Sequence, residues 1–206
     1  VSPFIILNAN EWVMKWSASD WLQQSLGMTQ IAQKSMDIEK HIIICGYGRC
    51  GQNLAKLLKT QKVPYMALDL DPDRVRRAQS HGEQVVYGDA ARLQSLMAVG
   101  LERASAVVVT YLENASAMRV LALTKEHAPQ VPVIVRTQDD LDLEKLQAAG
   151  AAEVVPETIE GSLMLATHAL ALVGVPMKRV IRMVQEQRNQ RYALLKDFDR
   201  GSEVED

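Results

Sequence analysis

Between residues 41 and 156 the apolar positions follow two alternating rhythms. Short, largely β-branched runs recur as "HIIIC" 41–45, "PYMALD" 64–69, "QVVYG" 84–88, "AVVVTY" 106–111, "VPVIVR" 131–136 and "AEVVP" 152–156. The segments between them place apolar residues at helical spacing, as Leu54, Leu57 and Leu58 do at i, i+3 and i+4. Strand-like runs alternating with short helices predict parallel strands joined by crossover helices. The expected fold is α/β: a Rossmann-like six-stranded parallel sheet over 41–156 with helices on both faces.

Two further helices are expected after the sixth strand, in 157–206. "ETIEGSLMLATHALALVG" is apolar on most faces from Leu163 to Val173, which is the pattern of a buried helix or of one in an interface. The chain beyond it is too short to cover both sides, so self-association through C-terminal dimerisation helices is expected. Gly174 and Pro176 should stop that helix. In "MKRVIRMVQEQRNQRYALL", Met177, Val180, Ile181 and Val184 form one stripe. Lys178, Arg179, Arg182, Arg188 and Arg191 lie on other faces, read either as a solvated surface or as contacts to an anionic partner. "DFDRGSEVED" reads as a loose acidic tail and 27–40 as a linker into the sheet domain.

The start of the chain has a different character. Val1 in place of a Met points to a fragment or processed chain, and the run Phe4–Leu7 is too short to span a bilayer. It lacks the features of a signal peptide. All the tryptophans, Trp12, Trp16 and Trp21, lie here, and Trp favours membrane–water interfaces. An amphipathic helix packed on the domain and the cut end of a transmembrane helix are both compatible with this stretch.

Composition narrows the function classes. The 206 residues carry a net charge of −2 and only 5% aromatics, and no basic stripe interleaves with aromatic residues, so nucleic acid is not an expected partner. The two cysteines, Cys45 and Cys50, have no His or Cys companions at metal spacing; they argue for a reducing compartment rather than a disulfide framework, and no metal site is expected.

The candidate chemistry lies in "CGYGRCGQN". Gly46, Gly48 and Gly51 follow a strand and open a helix. Gly46 would permit the tight turn, Gly48 the approach of a pyrophosphate to the backbone, and Gly51 close helix–strand packing. The helix N-terminus would then offer N–H groups and partial positive charge to phosphates. Asp69 ends the second strand, where a carboxylate can accept both hydroxyls of an adenosine ribose. Asp71 competes for that role, but "DPD" reads as Asp71 capping a helix with Pro72 at its first position. No Lys or Arg immediately follows Asp69 to meet a 2′-phosphate, so NAD or an AMP-like ligand is expected over NADP. Arg74, about one helical turn on, is the reservation.

In "YGDA", Gly88 would permit an unusual backbone, and Asp89 would cap the next helix or accept from an adenine amino group. Thr110 ends strand four beside the crevice where the strand order should reverse. Cys50, at a helix N-terminus beside Arg49, is either a small packed residue or a redox-sensitive thiol.

No catalytic residue is expected. A dehydrogenase needs a substrate region with an acid or base, and only about 50 mostly helical residues follow residue 156. Tyr192 and Lys196 reproduce the Tyr-x-x-x-Lys spacing of short-chain dehydrogenases but follow all six strands, and His41, His81, His127 and His168 are scattered. An NAD-dependent oxidoreductase fragment is nonetheless the alternative from another class.

Taken together, "HIIICGYGRCGQNLAKLL", "ALDLDPDRV", "YGDA" and "PETIEGSLMLATHALALVGV" resemble the cytoplasmic RCK (TrkA-N) domain of Kef-type monovalent cation:proton antiporters, over about 41–176. Residues 1–16 resemble the end of the last transmembrane helix of such antiporters, which favours the cut-helix reading of the Trp-rich start. The resemblance implies a ligand-sensing regulatory domain of a potassium-efflux antiporter, on the cytoplasmic face of the bacterial inner membrane. Implied partners are a second copy of the chain, the transmembrane domain of the same chain, and an ancillary regulatory protein. The implied cofactor is AMP or NAD(H), ahead of ADP or ATP. The phosphates would lie on Gly46, Gly48, Arg49 and Gly51, the ribose on Asp69 and the adenine side at Asp89. Tyr47, Cys50, Leu70, Ala90 and Thr110 complete the candidate cofactor-binding set. Arg49 and Arg136 match positions near an anionic second ligand, glutathione or its adducts, in the Kef branch. Cys50 departs from the bulky aromatic common in that turn, and Asn189 does not align with the Asn-bearing helix of the glutathione-controlled members. A potassium channel or Trk-type uptake subunit carrying the same domain is the other alternative.

Overall fold

The computed structural model describes residues 38–201, with side chains through Asn189. The Trp12–Trp21 stretch, most of the 27–40 linker, the end of the acidic tail and the side chains of Tyr192 and Lys196 lie outside the described part.

Six strands form one parallel sheet: β1 Ile42–Cys45, β2 Tyr65–Asp69, β3 Val85–Tyr87, β4 Ala106–Val109, β5 Val133–Thr137 and β6 Glu153–Pro156. Their order is β3-β2-β1-β4-β5-β6. The connecting helices are α1 Arg49–Thr60, α2 Pro72–Ser80, α3 Leu93–Ala98, α4 Asn114–His127 and α5 Leu143–Ala148. Each strand run expected from the sequence is present, its ends shifted by no more than two residues; β5 starts two residues later than expected and runs one further, to Thr137.

The chain runs outward from β1 to β3, then returns to pair β4 with the free side of β1. Ile42 faces Tyr65 on one side and Ala106 on the other, and Cys45 faces Leu68 and Val109. The crossovers on the two sides of β1 therefore diverge at its C-terminal end. That point, between β1 and β4, is where an open α/β sheet leaves a crevice for a ligand.

Side chains of successive strand residues point to opposite faces, and the sheet is covered on both. Ile43 and Cys45 enter one core with Met66, Leu68, Leu96, Leu121 and Leu146, under α3, α4 and α5. Ile44 enters the other with Tyr47, Ala55, Ala67, Val75 and Val85, under α1 and α2. Ile43 and Ile44 have no exposed surface, and burying each is worth about 2–3 kcal/mol.

Local signals place the helix ends. Asp71 caps α2 as expected: its carboxylate accepts from the Asp73 and Arg74 N–H groups at 3.0 and 3.1 Å, with Pro72 first in the helix. No side chain caps α1, and its first turn contains no acid.

Two helices follow the sheet, α6 Glu157–Leu172 and α7 Met177–Gly201, separated at Gly174, whose φ is +85°. They pack on one another, with Val180 of α7 fully buried and Arg188 paired to Glu160. α6 is tied to the sheet through its first turn, where Glu157 pairs with Arg136 and Thr158 bonds the Gln138 carbonyl; it buries none of its own residues, leaving Leu165 and Leu172 at 74% and 88% exposure. Among the described residues no helix is long and apolar enough to cross a membrane.

Candidate functional site

The glycine turn occupies the C-terminal end of β1, and each of its three glycines answers a different steric demand. Gly46 has φ +96°, a conformation open to few residues with a Cβ. A Cβ on Gly51 would lie 2.1 Å from the Gly46 carbonyl oxygen, so helix and strand meet there through bare backbone. Gly48 has an ordinary φ of −68°, and a Cβ on it would meet nothing within 4 Å. Its missing side chain serves no internal packing and leaves space directly over the uncapped start of α1. Arg49 opens that helix and is exposed, while Cys50 is half-buried beside it.

Thr110 locks the turn to β4. Its hydroxyl reaches the Gly46 and Cys45 carbonyls at 2.8 and 3.1 Å, and its N–H donates to Cys45 at 3.0 Å. The Thr110 side chain is 4% exposed, so it serves the turn as a buried strap.

Asp69 ends β2 as expected but is already fully engaged. One carboxylate oxygen accepts from the Asp71 N–H at 2.8 Å and the other from the Tyr47 N–H at 2.5 Å. Arg74 Nη1 reaches both oxygens, at 2.8 and 2.9 Å, while Nη2 lies 3.2 Å from Asp71. Hydrogen bonding to Asp69 raises the pKa of the Arg74 guanidinium above its ordinary value. The acceptor expected to meet a ribose is thus occupied from within the chain. The pairing arises because the Asp71 cap starts α2 immediately after Asp69 and turns Arg74 back over the strand end. The Asp-x-Asp-Pro-x-Arg spacing, from Asp69 to Arg74, is the signal that could have revealed it.

Several other candidates take roles different from those expected. Tyr47 contributes its backbone to the turn, but its ring is buried in the core under α1 and α2, away from the crevice. Asp89 does not cap α3; its carboxylate accepts from the Ala91 N–H at 2.9 Å in a tight turn, with Arg92 at 3.6 Å. Gly88 is required by space, not by an unusual backbone, since a Cβ would lie 2.9 Å from Leu68 Cδ2. Leu70 projects outward at 59% exposure, and Ala90 is buried.

Arg136, read as a second-ligand candidate, is bound internally. Its Nη1 donates to the Thr110 carbonyl at 2.6 Å and its Nη2 to the Glu157 carboxylate at 2.6 Å. It sits at the same sheet edge as the glycine turn, whereas Arg49 remains free to meet an anion.

An open cleft of about 510 Å³ lies at the opposite end of the sheet, lined in part by Lys59, Pro64, Tyr65 and Glu83. Three of its polar side chains are committed to each other: Glu83 accepts from Lys59 at 2.7 Å and from the Tyr65 hydroxyl, and Lys59 is the main cause of its lowered pKa. The turn over α1, with an open glycine and unsatisfied helix-end donors, is the better-suited anion site. Among the described residues no group of His, Cys, Asp and Glu is disposed to hold a metal ion.

The sequence profile of the TrkA-N domain matches residues 42–157. A protein of Alkalimonas amylolytica named as a K(+) efflux antiporter KefB is 42% identical over 165 residues, covering 80% of this chain and 25% of that protein. The chloroplastic K(+) efflux antiporter 2 of Arabidopsis thaliana is 34% identical, covering 88% of this chain and 15% of its own length. The chain thus spans a quarter or less of these curated relatives. Among solved structures, the Kef CTD of Shewanella denitrificans in its AMP-bound form superposes with a TM-score of 0.65 at 28% identity, covering 76% of this chain and 96% of that one.

Proposed function

The chain belongs to the TrkA-N domain family, and from that premise we propose that it is the nucleotide-sensing regulatory domain of a potassium-efflux antiporter. Its ligand is an adenine nucleotide, AMP or NAD(H), bound at the C-terminal end of β1. The observation that carries this reading is Gly48: a glycine that neither backbone conformation nor packing requires, placed over the uncapped N-terminus of α1. Such a position gains from having no side chain only if another group approaches it. The helix end and Arg49 supply positive potential for phosphate. The AMP-bound relative and the antiporter relatives support the same assignment.

The domain senses and does not catalyse. The polar groups lining the turn hold backbone in place, and His41 is fully buried at the other end of β1. It acts as a homodimer on the cytoplasmic side of the membrane that holds the transporter. Met164, Leu165, Leu172 and Val173 on and beside α6, with Met177 and Ile181 of α7, form the exposed apolar surface that a second copy would cover.

The route from site to dimer is short. The Gly46 carbonyl bonds the Thr110 hydroxyl, the Thr110 carbonyl bonds Arg136, and Arg136 pairs with Glu157 at the start of α6. A nucleotide that alters the turn therefore bears on the helix that carries the dimer surface. It shifts the transporter only by its difference in affinity for the two dimer geometries.

Titration calorimetry with AMP and NAD on the wild-type chain and on Gly48→Ala tests the assignment. A Cβ at residue 48 leaves the fold intact and intrudes where phosphate would approach, so affinity should fall about tenfold or more. If neither nucleotide binds, or Gly48→Ala binds equally well, the site is wrong.

A further inference from the structure

We infer that Arg74 is an internal occupant of the ribose subsite, which an adenosine ribose must displace, and that it thereby sets the affinity of the site. The inference rests on the nucleotide reading above.

A carboxylate offers about four acceptor positions, two per oxygen. All four on Asp69 are taken: one by the Asp71 N–H, one by the Tyr47 N–H, and one on each oxygen by Arg74 Nη1. The two backbone donors are fixed by the cap of α2 and by the glycine turn. The guanidinium is different. It sits on a flexible stem at 35% exposure, against 5% for the Asp69 side chain, so it is the donor able to leave. The two positions it fills are those a ribose diol needs. Departure does not strand its charge, because Asp71 is already 3.2 Å from Nη2 and stays within reach on the same helix. Arg74 therefore holds two alternatives, Asp69 and Asp71 together or Asp71 alone, and ligand selects the second.

Apparent affinity falls in proportion to the fraction of molecules in which the subsite is open. Arg74 also neutralises Asp69 when the site is empty, which removes the cost of a buried, unpaired carboxylate. The two acceptor positions that Arg74 vacates fit the donors of a diol, so the displacing ligand has free 2′- and 3′-hydroxyls.

The test uses adenosine, which carries no phosphate and reports on this subsite alone, with AMP as the second probe. Both are titrated into the wild-type chain and into Arg74→Gln. Arg74→Gln is expected to bind adenosine about tenfold more tightly. A measurement without mutation accompanies it. Raising salt screens the guanidinium–carboxylate pair but not a neutral nucleoside, so wild-type affinity for adenosine should rise with salt while that of Arg74→Gln stays flat. Equal or weaker binding by Arg74→Gln, or a wild-type affinity indifferent to salt, overturns the inference and leaves the nucleotide reading standing. Failure of both chains to bind adenosine and AMP overturns both.

Discussion

The Thr110 hydroxyl donates to the Gly46 carbonyl at 2.8 Å across the point where the strand order reverses. One bond thus joins the end of β4 to a turn whose first glycine holds a φ of +96°. Thr110→Val keeps the shape of the side chain and removes the donor. It should cost about 1–2 kcal/mol in urea unfolding, and Thr110→Ser should recover most of the loss. A Thr110→Val chain as stable as the wild type would show that the turn holds without the strap.

The glycines should separate by function. Gly51→Ala forces a methyl group to within 2.1 Å of a backbone oxygen, and α1 must move away from β1. A loss of about 2 kcal/mol or more in thermal or chemical unfolding is expected. Gly48→Ala meets no neighbour and should stay within about 0.5 kcal/mol of wild type. Comparable losses at both positions would contradict this division.

Acid should weaken the fold first through His41. Its ring is fully buried, with Nε2 2.7 Å from the Val99 carbonyl. Burial holds its pKa below the ordinary imidazole value, opposed by the Val99 bond and reinforced by the charge of Arg103. Between that lowered value and about pH 6.5 the unfolded chain binds a proton that the folded chain does not. The contribution is fully present above this window and is lost as pH falls through it. Carboxylates such as Asp71 and Glu83, whose pKa values are lowered, act in the same direction but in a more acid range. Urea midpoints measured from pH 7 to pH 5 should therefore drop more for wild type than for His41→Gln; parallel curves would exclude His41.

The two thiols should differ in reactivity. Cys45 is wholly buried in β1, and desolvation pushes its pKa up to about 12, whereas Cys50 is half-buried at the start of α1. A chromogenic disulfide reagent should modify Cys50 alone in the folded chain and both thiols in urea. Bound AMP should slow the reaction at Cys50. Prompt modification of both thiols without denaturant would refute the burial of Cys45.

Arg136 and Glu157 should couple weakly but measurably. The pair is 25% and 50% exposed, so solvent screens much of its attraction. A double-mutant cycle with Arg136→Met and Glu157→Gln should give a coupling of about 0.5–1 kcal/mol, falling with salt. Arg136→Met should cost more than Glu157→Gln, because it also removes the donor to the Thr110 carbonyl. No coupling would break the proposed route from the turn to α6.

Much of this protein was legible along the chain because its signals are local. The apolar runs marked every strand, since a parallel strand covered on both faces must be apolar throughout. Asp71-Pro72 announced its cap, because capping needs only three consecutive residues. The spacing of Gly46, Gly48 and Gly51 located the turn for the same reason. Three-dimensional packing decided the rest. Whether Asp69 faces an open crevice or a guanidinium depends on how α2 leaves β2, and that brings Arg74 over the strand end. Whether Arg136 meets a ligand or the Thr110 carbonyl depends on the pairing of β5 with β4, residues 26 apart in the chain. Gly88 shows the contrast at a single position: the sequence marks a glycine, but only the approach of Leu68 explains it. Sequence periodicity thus determined the elements, and glycine spacing the place of the turn between β1 and α1. Which charged groups around it remain free was settled by contacts between elements distant in sequence, and no local pattern encodes those.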